Sequence, residues 1–307
     1  MMKKKVLAIQ GSDINKINFK TDTTMFLGVE AQRRKFDIFY YEPKDLSFDN
    51  GKVFAKSLKI KIVEQDKLYI KKIKKINLNL SKVKILLIRN EPPFNQQYIN
   101  TTFILEQLPN KVKIINHPRS IRDVPEKLFS IRFLKFMPPT LISENLNHIS
   151  SFLNKHRQLV LKPIEGYSGN DVILIKRFDK NKISQFLAKY NHLIFQKYIP
   201  KISKGDKRIF IINGKVKGAI SRVPKKGSIL SNMSKGAYAK ITNVNSYELK
   251  ICKIVAKELK KNNIYFAGID FINGKLIGDI NVTSPTGLKT YYDLTGINLA
   301  KYFFDNI

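Results

Sequence analysis

Two acidic residues and an amide near the end of the chain have the types and spacing of a metal site. Asp270 lies on one arm of an apolar hairpin sequence, Asp279 and Asn281 lie on the other, and Asn273-Gly274 separates the arms. Asn-Gly between apolar runs is the strongest short-range signal of a β-hairpin. Residues two apart leave the same face of a strand, so folding the arms back brings all three side chains together. Their oxygen atoms suit Mg²⁺ when a substrate's phosphates supply the remaining ligands. The alternative is that these acidic residues simply face water.

Basic residues at strand ends could hold phosphate groups. Lys162 ends an apolar strand and precedes a glycine-containing turn, where backbone N–H groups can approach phosphate oxygens closely. Arg208 and Arg222 lie on neighbouring strands of a second predicted hairpin. Two guanidinium groups aimed at one spot would neutralise the charge on a transferred phosphoryl group. The alternatives are a solvated surface lysine at Lys162 and a cross-strand ion pair with Asp206.

Residues 225–240 form a glycine-punctuated loop that is suited to closing over a substrate. The four histidines, at positions 117, 148, 156 and 192, lack metal-ligand spacing, and no Ser–His–Asp or Cys–His arrangement accompanies them. This pattern counts against a zinc site and against nucleophilic hydrolysis.

The elements that must position these residues alternate between strands and helices in the first part of the chain. Strands are predicted at 6–9, 37–41, 53–61, 68–73, 84–88 and 113–116, and helices at 23–34 and 97–107. This order predicts an α/β fold with a parallel sheet over roughly the first 120 residues. Ligands bind such sheets at the carboxyl ends of the strands, here at the loops 11–20 and 89–95.

Further elements are predicted in the second part of the chain. A basic helix at 118–136 carries Lys127, and other helices are predicted at 147–155 and 246–262. Strands are predicted at 140–143, 159–163, 172–176, 192–197, 208–212 and 215–222. Cys252 falls on the apolar face of the last helix and is interpreted as a core residue.

Composition restricts the class of protein. The 307 residues are 43% hydrophobic, which excludes wholesale disorder, and the formal charge is +32. Lysine outnumbers arginine 46 to 10 and occurs along the whole chain, so the charge indicates compositional bias and no specific nucleic-acid partner. The single cysteine cannot form an internal disulfide, the apolar start is too short for a signal peptide, and no run could span a membrane. We expect a cytoplasmic protein.

In order, these segments resemble the bacterial glutathione synthetase family of the ATP-grasp ligases, nearly from end to end. The best-matched strings are Arg89-Asn-Glu-Pro-Pro-Phe94, Arg119-Ser-Ile-Arg-Asp-Val-Pro-Glu-Lys127-Leu-Phe, Leu161-Lys162-Pro, Gln196-Lys-Tyr-Ile-Pro, Gly205-Asp-Lys-Arg208 and Asp279-Ile-Asn281-Val-Thr-Ser-Pro-Thr286. The resemblance implies an N-terminal α/β (pre-ATP-grasp) substrate domain over 1–122. A two-part ATP-grasp α+β module follows, with a central lid over 123–200 and a catalytic domain over 201–307.

The resemblance also implies roles for individual residues. Lys127, Lys162, Gln196, Ile199 and Asp206 would bind ATP; Arg208 and Arg222 would stabilise the transferred phosphoryl group; Asp270, Asp279 and Asn281 would ligate Mg²⁺ or Mn²⁺; Lys20, Arg89, Ser284 and Thr286 would bind the peptide and glycine; Asn232 and Gly236 would belong to the mobile loop.

The implied reaction joins γ-glutamylcysteine to glycine at the expense of ATP, through an acyl phosphate, and a homotetramer is the implied assembly. Three departures from the family pattern stand out. Asp279 replaces a Glu, Tyr167-Ser168-Gly169 replaces a stretch with two adjacent glycines, and Asn232-Met-Ser-Lys-Gly236-Ala-Tyr238 replaces Asn-Leu-Ala-Ala-Gly-Gly-Arg. The alternatives are an ATP-grasp ligase for another amino acid or peptide, and a non-catalytic protein that binds nucleotide or nucleic acid.

Overall fold

A computed structural model gives the fold and describes residues 5–64 and 68–307. Residues 1–4, the basic start considered in the signal-peptide argument, lie outside the described residues. Within the described part, no helix has the length and apolar character needed to cross a membrane.

The first part of the chain forms a seven-stranded sheet. Its strands are β1 (Lys5–Gly11), β2 (Phe36–Tyr41), β3 (Leu46–Asp49), β4 (Lys52–Glu64), β5 (Leu68–Asn79), β6 (Ile85–Arg89) and β7 (Lys113–Ile115), and its helices are α1 (Thr23–Arg33), α2 (Gln96–Leu105) and α3 (Pro118–Asp123). The predicted α/β fold is confirmed, and the order β2-β1-β6-β7 is parallel. The sheet is nevertheless mixed, because β3, β4 and β5 pair antiparallel. Too few residues separate these strands for the crossover that parallel neighbours need.

The middle of the chain forms a smaller antiparallel sheet. Its strands β8 (Thr140–Ser143), β9 (Leu159–Pro163), β10 (Ile173–Ile175) and β11 (Leu193–Lys197) lie in the order β10-β9-β11-β8. Helices α4 (Leu146–His156) and α5 (Lys180–Tyr190) pack with this sheet around Leu161 and Phe195, which are fully buried. The predicted strands at 140–143, 159–163, 172–176 and 192–197 are therefore confirmed.

The last part contains five antiparallel strands in the order β14-β13-β12-β15-β16. They are β12 (Asp206–Ile212), β13 (Lys215–Val223), β14 (Tyr238–Ile241), β15 (Phe266–Ile272) and β16 (Lys275–Asn281), accompanied by α6 (Ser246–Lys261), α7 (Leu288–Thr295) and α8 (Leu299–Asp305). Both predicted hairpins are present. Asn213-Gly214 and Asn273-Gly274 have φ values of 49°, 70°, 48° and 73°, the left-handed pairs that a two-residue turn between twisted strands requires.

One predicted helix is wrong. In place of a helix over 118–136, α3 ends at Asp123, and a short 3₁₀ segment, Phe129–Phe136, follows. Pro125 explains the break, because a proline pushes the residue before it out of the helical region, and Val124 has φ −119° and ψ 66°. Lys127 consequently lies in the turn between the two segments.

The first and last parts of the chain share an apolar core. Leu7 and Ile9 of β1 belong to the same buried cluster as Phe210 of β12 and Phe266 of β15. Helix α6 covers the last sheet in a second cluster, where Cys252 is fully buried, as predicted. The strands and helices that carry the cavity loops of these two parts are therefore packed into common cores.

Candidate functional site

A cavity of about 660 Å³ is lined by residues from all three sheets. It brings together most of the predicted site residues: Arg89, Lys127, Lys162, Gln196, Ile199, Asp206, Arg208, Arg222, Asn232, Asp270, Asp279, Asn281, Ser284 and Thr286. Lys20 and Gly236 do not line it. Lys20 is exposed, and the neighbouring Lys16 borders the cavity from the same loop.

Two arginines and two carboxylates form a buried cluster at one side of the cavity. Arg208 donates from Nε and Nη2 to the two oxygens of Asp270, both at 2.8 Å. Arg222 makes a bidentate pair with Asp206, its direct partner in the β12–β13 register, and approaches Asp270 Oδ2 at 2.9 Å. The cross-strand ion pair considered from sequence is therefore present, and it lies inside the cavity wall. All four residues are at most 8% exposed.

Burial and pairing shift the two carboxyl groups in opposite directions. Removal from water raises the pKa of Asp206 to about 6, although Arg222 opposes this change. Burial also acts on Asp270, but Arg208 and Arg222 outweigh it and lower its pKa to about 2. Arg222 is itself buried, yet the attraction of Asp206 and Asp270 raises its pKa. At neutral pH the cluster therefore holds two positive and two negative charges.

Lys162 is the centre of a second polar group. It is 8% exposed, so the solvated-lysine alternative is wrong. Its Nζ donates to Gln196 Oε1 at 3.2 Å and to the Ile277 carbonyl at 2.9 Å, and it lies 3.8 Å from Asp279 Oδ2. Lys162 lines the cavity, so its ammonium group is available to an anion there.

Lys127 binds the loop that follows β9. Its Nζ donates to the Ile164 carbonyl at 3.3 Å and to the carbonyl of Gly166. Burial lowers the pKa of Lys127, with Asp279 and Glu126 opposing. Lys127 and Lys162 thus approach the cavity from different elements, a turn and a strand end.

Arg89 connects the first sheet to the segment after β16. Its Nε donates to Thr24 Oγ1 at 3.1 Å, its Nη2 donates to the Pro285 carbonyl at 2.9 Å, and its own carbonyl accepts from Ser284 Oγ at 3.2 Å. Burial lowers the pKa of Arg89, with Asp22 opposing this change. Thr286 Oγ1 accepts from Arg208 Nη1 at 3.1 Å, which joins this segment to the charged cluster.

The donor set of the predicted metal site fits a hard cation. Asp270, Asp279 and Asn281 all line the cavity, and Asn281 Nδ2 lies 3.2 Å from Asp270 Oδ2. Among residues 5–64 and 68–307, no three His, Cys, Asp or Glu side chains converge as a metal site, so the set depends on the Asn281 amide. Two carboxylates and an amide suit Mg²⁺ or Mn²⁺. Asp270 already accepts from two arginines, so binding there must redistribute those bonds.

The loop after β13 packs against the loop after β9. Residues 229–234 line the cavity, and Asn232 lies so close to Gly169 that a Cβ at Gly169 would stand 2.5 Å from Asn232 Oδ1. Gly169 also has φ +72°, which disfavours any side chain. The glycine kept in Tyr167-Ser168-Gly169 is therefore required both by backbone conformation and by this contact.

Glu126 and Asp22 are among the cavity residues to which the sequence analysis gives no role. Glu126 Oε1 accepts from Val282 N at 2.9 Å, Thr283 N at 3.0 Å and Thr283 Oγ1 at 2.7 Å. Asp22 caps α1 by accepting from Met25 N at 2.6 Å, and burial raises its pKa. Asp22 followed by a helix pattern could have been recognised as an N-cap. No local signal marks Glu126, because its partners are about 156 residues away.

Two family models match the chain. The model described as "Prokaryotic glutathione synthetase, N-terminal domain" matches residues 6–122, and the model described as "Prokaryotic glutathione synthetase, ATP-grasp domain" matches residues 126–296.

Individual relatives match over nearly the full length. A glutathione synthetase of Bradyrhizobium diazoefficiens is 37% identical, with 98% of this chain and 97% of the relative covered. One of Buchnera aphidicola subsp. Baizongia pistaciae is 36% identical, with 98% and 95% covered. Among solved structures, D-cycloserine synthetase DcsG superposes with a TM-score of 0.69 over 98% of this chain and 97% of that one. Its sequence is 14% identical, so this likeness concerns the fold alone.

Proposed function

This chain belongs to the prokaryotic glutathione synthetase family, and on that premise we propose how the residues of its cavity carry out the reaction. The chain is an ATP-dependent ligase that joins γ-glutamylcysteine to glycine and forms glutathione, ADP and phosphate. The observation that supports the residue roles is the single cavity in which acidic, basic and amide side chains of all three sheets meet.

The reaction needs no protein nucleophile, because phosphate is the activating group. An oxygen of the peptide's cysteine carboxylate attacks the γ-phosphorus of ATP, and the bond to the ADP oxygen breaks. The amine of glycine then attacks the acyl carbon, the carbon–oxygen bond to phosphate breaks, and the amine loses a proton. The protein's part is to orient the reactants, neutralise the growing negative charge and exclude water.

We assign the charge-neutralising part to Arg208 and Arg222. Both lie in the cavity wall with their planar groups fixed by carboxylates. Arg222 uses Nε and Nη2 on those carboxylates, and within the described residues no partner is found for its Nη1. Donors held in place in this way cost little reorganisation when charge develops on a phosphoryl group.

The nucleotide is assigned to the side of the cavity formed by β9, β11 and the turn after α3. Lys127 and Lys162 would bind phosphate oxygens, and Gln196 and Ile199 would contact the adenine. Asp206 would lie beside the nucleotide and keep Arg222 in position. Lys127 would exchange its present carbonyl partners for phosphate oxygens. Charged phosphate oxygens are stronger hydrogen-bond acceptors for an ammonium group than carbonyl oxygens are.

The peptide and glycine are assigned to the opposite side. Arg89, Ser284 and Thr286 line the cavity there, and Lys20 belongs to the loop between β1 and α1. Because Lys20 is exposed and does not line the cavity, its role requires that loop to move. Asn232 and Gly236 belong to the loop after β13 that would cover the reactants.

We assign Asp270, Asp279 and Asn281 to a divalent cation, Mg²⁺ or Mn²⁺. When bound, such a cation supplies Lewis-acid polarisation and charge neutralisation at the phosphate oxygens. Asp279 is one methylene shorter than the Glu of the family pattern. Its contact with Lys162 is 3.8 Å long, whereas Asp270 is paired with two arginines at 2.8 and 2.9 Å, so the Asp279 carboxylate is the more available of the two to a cation. Activity measured over a series of Mg²⁺ and Mn²⁺ concentrations distinguishes the two metals.

Three broader assignments are proposals as well. The boundaries 1–122, 123–200 and 201–307 are taken as domains, and limited proteolysis tests them. A homotetramer follows from the family resemblance and is measured by light scattering. A cytoplasmic location agrees with the single buried cysteine and is tested by cell fractionation.

The absence of a specific nucleic-acid partner stays a prediction, and RNA binding that persists at moderate salt would contradict it.

A phosphate-release assay tests the function. With Mg·ATP, we expect phosphate release that requires both γ-glutamylcysteine and glycine, and no comparable release with other acceptor and donor pairs. Arg208→Ala and Asp270→Ala should abolish this release. Arg33→Ala is the matched control, because Arg33 forms an exposed ion pair with Glu64 and neither residue lines the cavity. Release with a different substrate pair alone would overturn the proposed substrate specificity.

A further inference from the structure

A row of side chains crosses the four-stranded sheet beside the cavity. In the strand register, Gln196 on β11 lies opposite Val160 on β9 and opposite Thr140 on β8. Directly opposite residues share one face of a sheet, and Lys162, which lies opposite Ile194, shares the same face two residues along. Val160, Lys162 and Gln196 line the cavity, whereas Thr140 does not. Thr140 therefore supports Gln196 from the side away from the cavity.

Hydrogen bonds join three of these residues into a chain with a fixed direction. Lys162 Nζ donates to Gln196 Oε1 at 3.2 Å, Gln196 Nε2 donates to Thr140 Oγ1 at 3.0 Å, and the Thr140 hydroxyl donates to the Pro138 carbonyl at 2.8 Å. The Lys162 ammonium at one end of this series of hydrogen bonds can only donate, and the Pro138 carbonyl at the other end can only accept. Every hydrogen bond between them must therefore run in the same direction.

The direction of these hydrogen bonds determines the orientation of the Gln196 side-chain amide. The NH₂ group must face Thr140, and the oxygen must face Lys162. If the amide were rotated by half a turn, its NH₂ group would meet the ammonium of Lys162 and two donors would oppose each other. An amide oxygen accepts two hydrogen bonds, and among the described residues Lys162 is the one partner found for Gln196 Oε1.

We propose that Thr140 is a positioning residue that makes the nucleotide site prefer adenine over bases with a carbonyl at the same position. This inference rests on the nucleotide site of the proposed function. Adenine offers an exocyclic amine, which can donate to the free lone pair of Gln196 Oε1. Hypoxanthine and guanine offer a carbonyl oxygen there, and two acceptors repel each other. Val160, Ile199 and Ile277 line the same cavity and provide apolar surface for a flat base.

The test compares ATP with ITP, which carries hypoxanthine. Thr140→Val keeps the branched shape that suits a strand but removes the hydroxyl, so the Gln196 amide loses the partner that fixes its direction. Dissociation constants are measured by titration calorimetry without peptide or glycine, and kcat/KM is measured for each nucleotide with both substrates. We expect the ATP-to-ITP preference to fall about tenfold, the effect of one hydrogen bond.

Two further variants control for structure. Thr140→Ser keeps the hydroxyl and should retain the preference. Thr101→Val removes a buried hydroxyl that also donates to a backbone carbonyl, but on α2 and outside the cavity lining, and should leave the preference unchanged. If Thr140→Val does not fold, Thr140→Ala supplies the same comparison.

The proposal is overturned if Thr140→Val binds both nucleotides more weakly by the same factor, because Thr140 would then only support the sheet. It is also overturned if Thr140→Ser loses the preference as Thr140→Val does. Nucleotide binding is measured without peptide or glycine. The ratio of the dissociation constants for ATP and ITP can therefore be determined even if the ligation assay fails. Binding of neither nucleotide by the wild-type chain would overturn the nucleotide site and this proposal together.

Discussion

Four buried charges in the wall of the cavity stabilise one another, and this limits how they can be studied by mutation. Asp270 accepts from Arg208, Arg222 and the Asn281 amide, so little of its hydrogen-bonding capacity is left unused. Removing one member leaves its partner charged and buried, which typically costs about 3–5 kcal/mol. Alanine variants therefore lose stability together with activity, and variants of similar shape separate the two effects better.

Asp206→Asn tests the raised pKa of Asp206. This carboxyl titrates near 3.8 in the unfolded chain and near 6 in the folded chain, so between these pH values the folded protein binds more protons. The free energy of unfolding of the wild type therefore falls as the pH rises through this window, by up to about 3 kcal/mol. The neutral Asn side chain lacks this contribution. We expect the difference in unfolding free energy, wild type minus variant, to fall from about pH 4 through about pH 6 in urea titrations and to become constant about one pH unit higher.

Asp305 provides a control with the opposite sign. It is exposed, and its hydrogen bonds with Arg34 and Lys301 lower its pKa. Its contribution to stability is therefore present above the unfolded pKa and is lost as the pH falls. Asp305→Asn should show no decrease between about pH 4 and about pH 6. An Asp206→Asn difference that is flat over this window would mean that Asp206 titrates normally.

Residue types and spacing predicted the acidic side of the site better than its surroundings. The two-residue spacing of Asp279 and Asn281 and the turn at Asn273-Gly274 are local signals, and the structure brings these side chains into one cavity with Asp270. Lys162 is buried against Gln196 and Ile277 of distant elements, whereas Lys20 is exposed and does not line the cavity. The partners of Lys162 lie far away in the sequence, so spacing alone could not distinguish the two lysines.

At the scale of elements, turn chemistry was the most reliable signal. Both Asn-Gly hairpins formed because two consecutive left-handed residues are needed there, and the preference of Asn and Gly for that conformation is local. The helix predicted over 118–136 is wrong because Pro125 interrupts the helical segment, and α3 ends at Asp123. The resulting break places Glu126 and Lys127 in a turn, and both side chains then reach the cavity.

Glu126 tests whether that turn positions the segment after β16. Its carboxylate accepts three hydrogen bonds from Val282 and Thr283, and its backbone carbonyl accepts from Ile280 N at 3.0 Å. Asn281, a proposed metal ligand, lies between these bonds. We expect Glu126→Ala to lower kcat about 10–100-fold and to raise the Mg²⁺ concentration needed for half-maximal activity.

The matched variants separate positioning from folding. Glu126→Gln keeps an oxygen acceptor and should show a smaller effect on both quantities. Glu258→Ala removes a carboxylate that pairs with Lys261 outside the cavity lining and should change neither. A Glu126→Ala variant with wild-type kcat and wild-type Mg²⁺ dependence would show that the segment after β16 keeps its position without this carboxylate.

At the scale of the whole molecule, all three parts of the chain converge on residues 280–288. Glu126 binds Val282 and Thr283 from the middle part, while Arg89 and Thr23 bind Pro285, Gly287 and Leu288 from the first. The last part supplies the segment itself. These contacts join residues more than 150 positions apart, so the sequence could indicate the elements but not their meeting point. A movement of one part of the chain relative to the others would therefore shift the residues proposed to bind the peptide, glycine and metal.

Asn116→Ala tests how strongly the first and last sheets depend on each other. Asn116 follows β7 and is 3% exposed; its Oδ1 accepts from Tyr265 N and Phe266 N, each at 2.9 Å, and its Nδ2 donates to the carbonyls of Phe266 and Val282 at 2.8 and 2.7 Å. Alanine would leave these backbone groups buried without partners, so we expect a loss of roughly 3–5 kcal/mol in the free energy of unfolding, measured in urea. Asn100→Ala, at an exposed position on α2, should cost less than about 0.5 kcal/mol. If Asn116→Ala lost no more than that control, the shared apolar core alone would hold the two sheets together, and the amide would be dispensable for their junction.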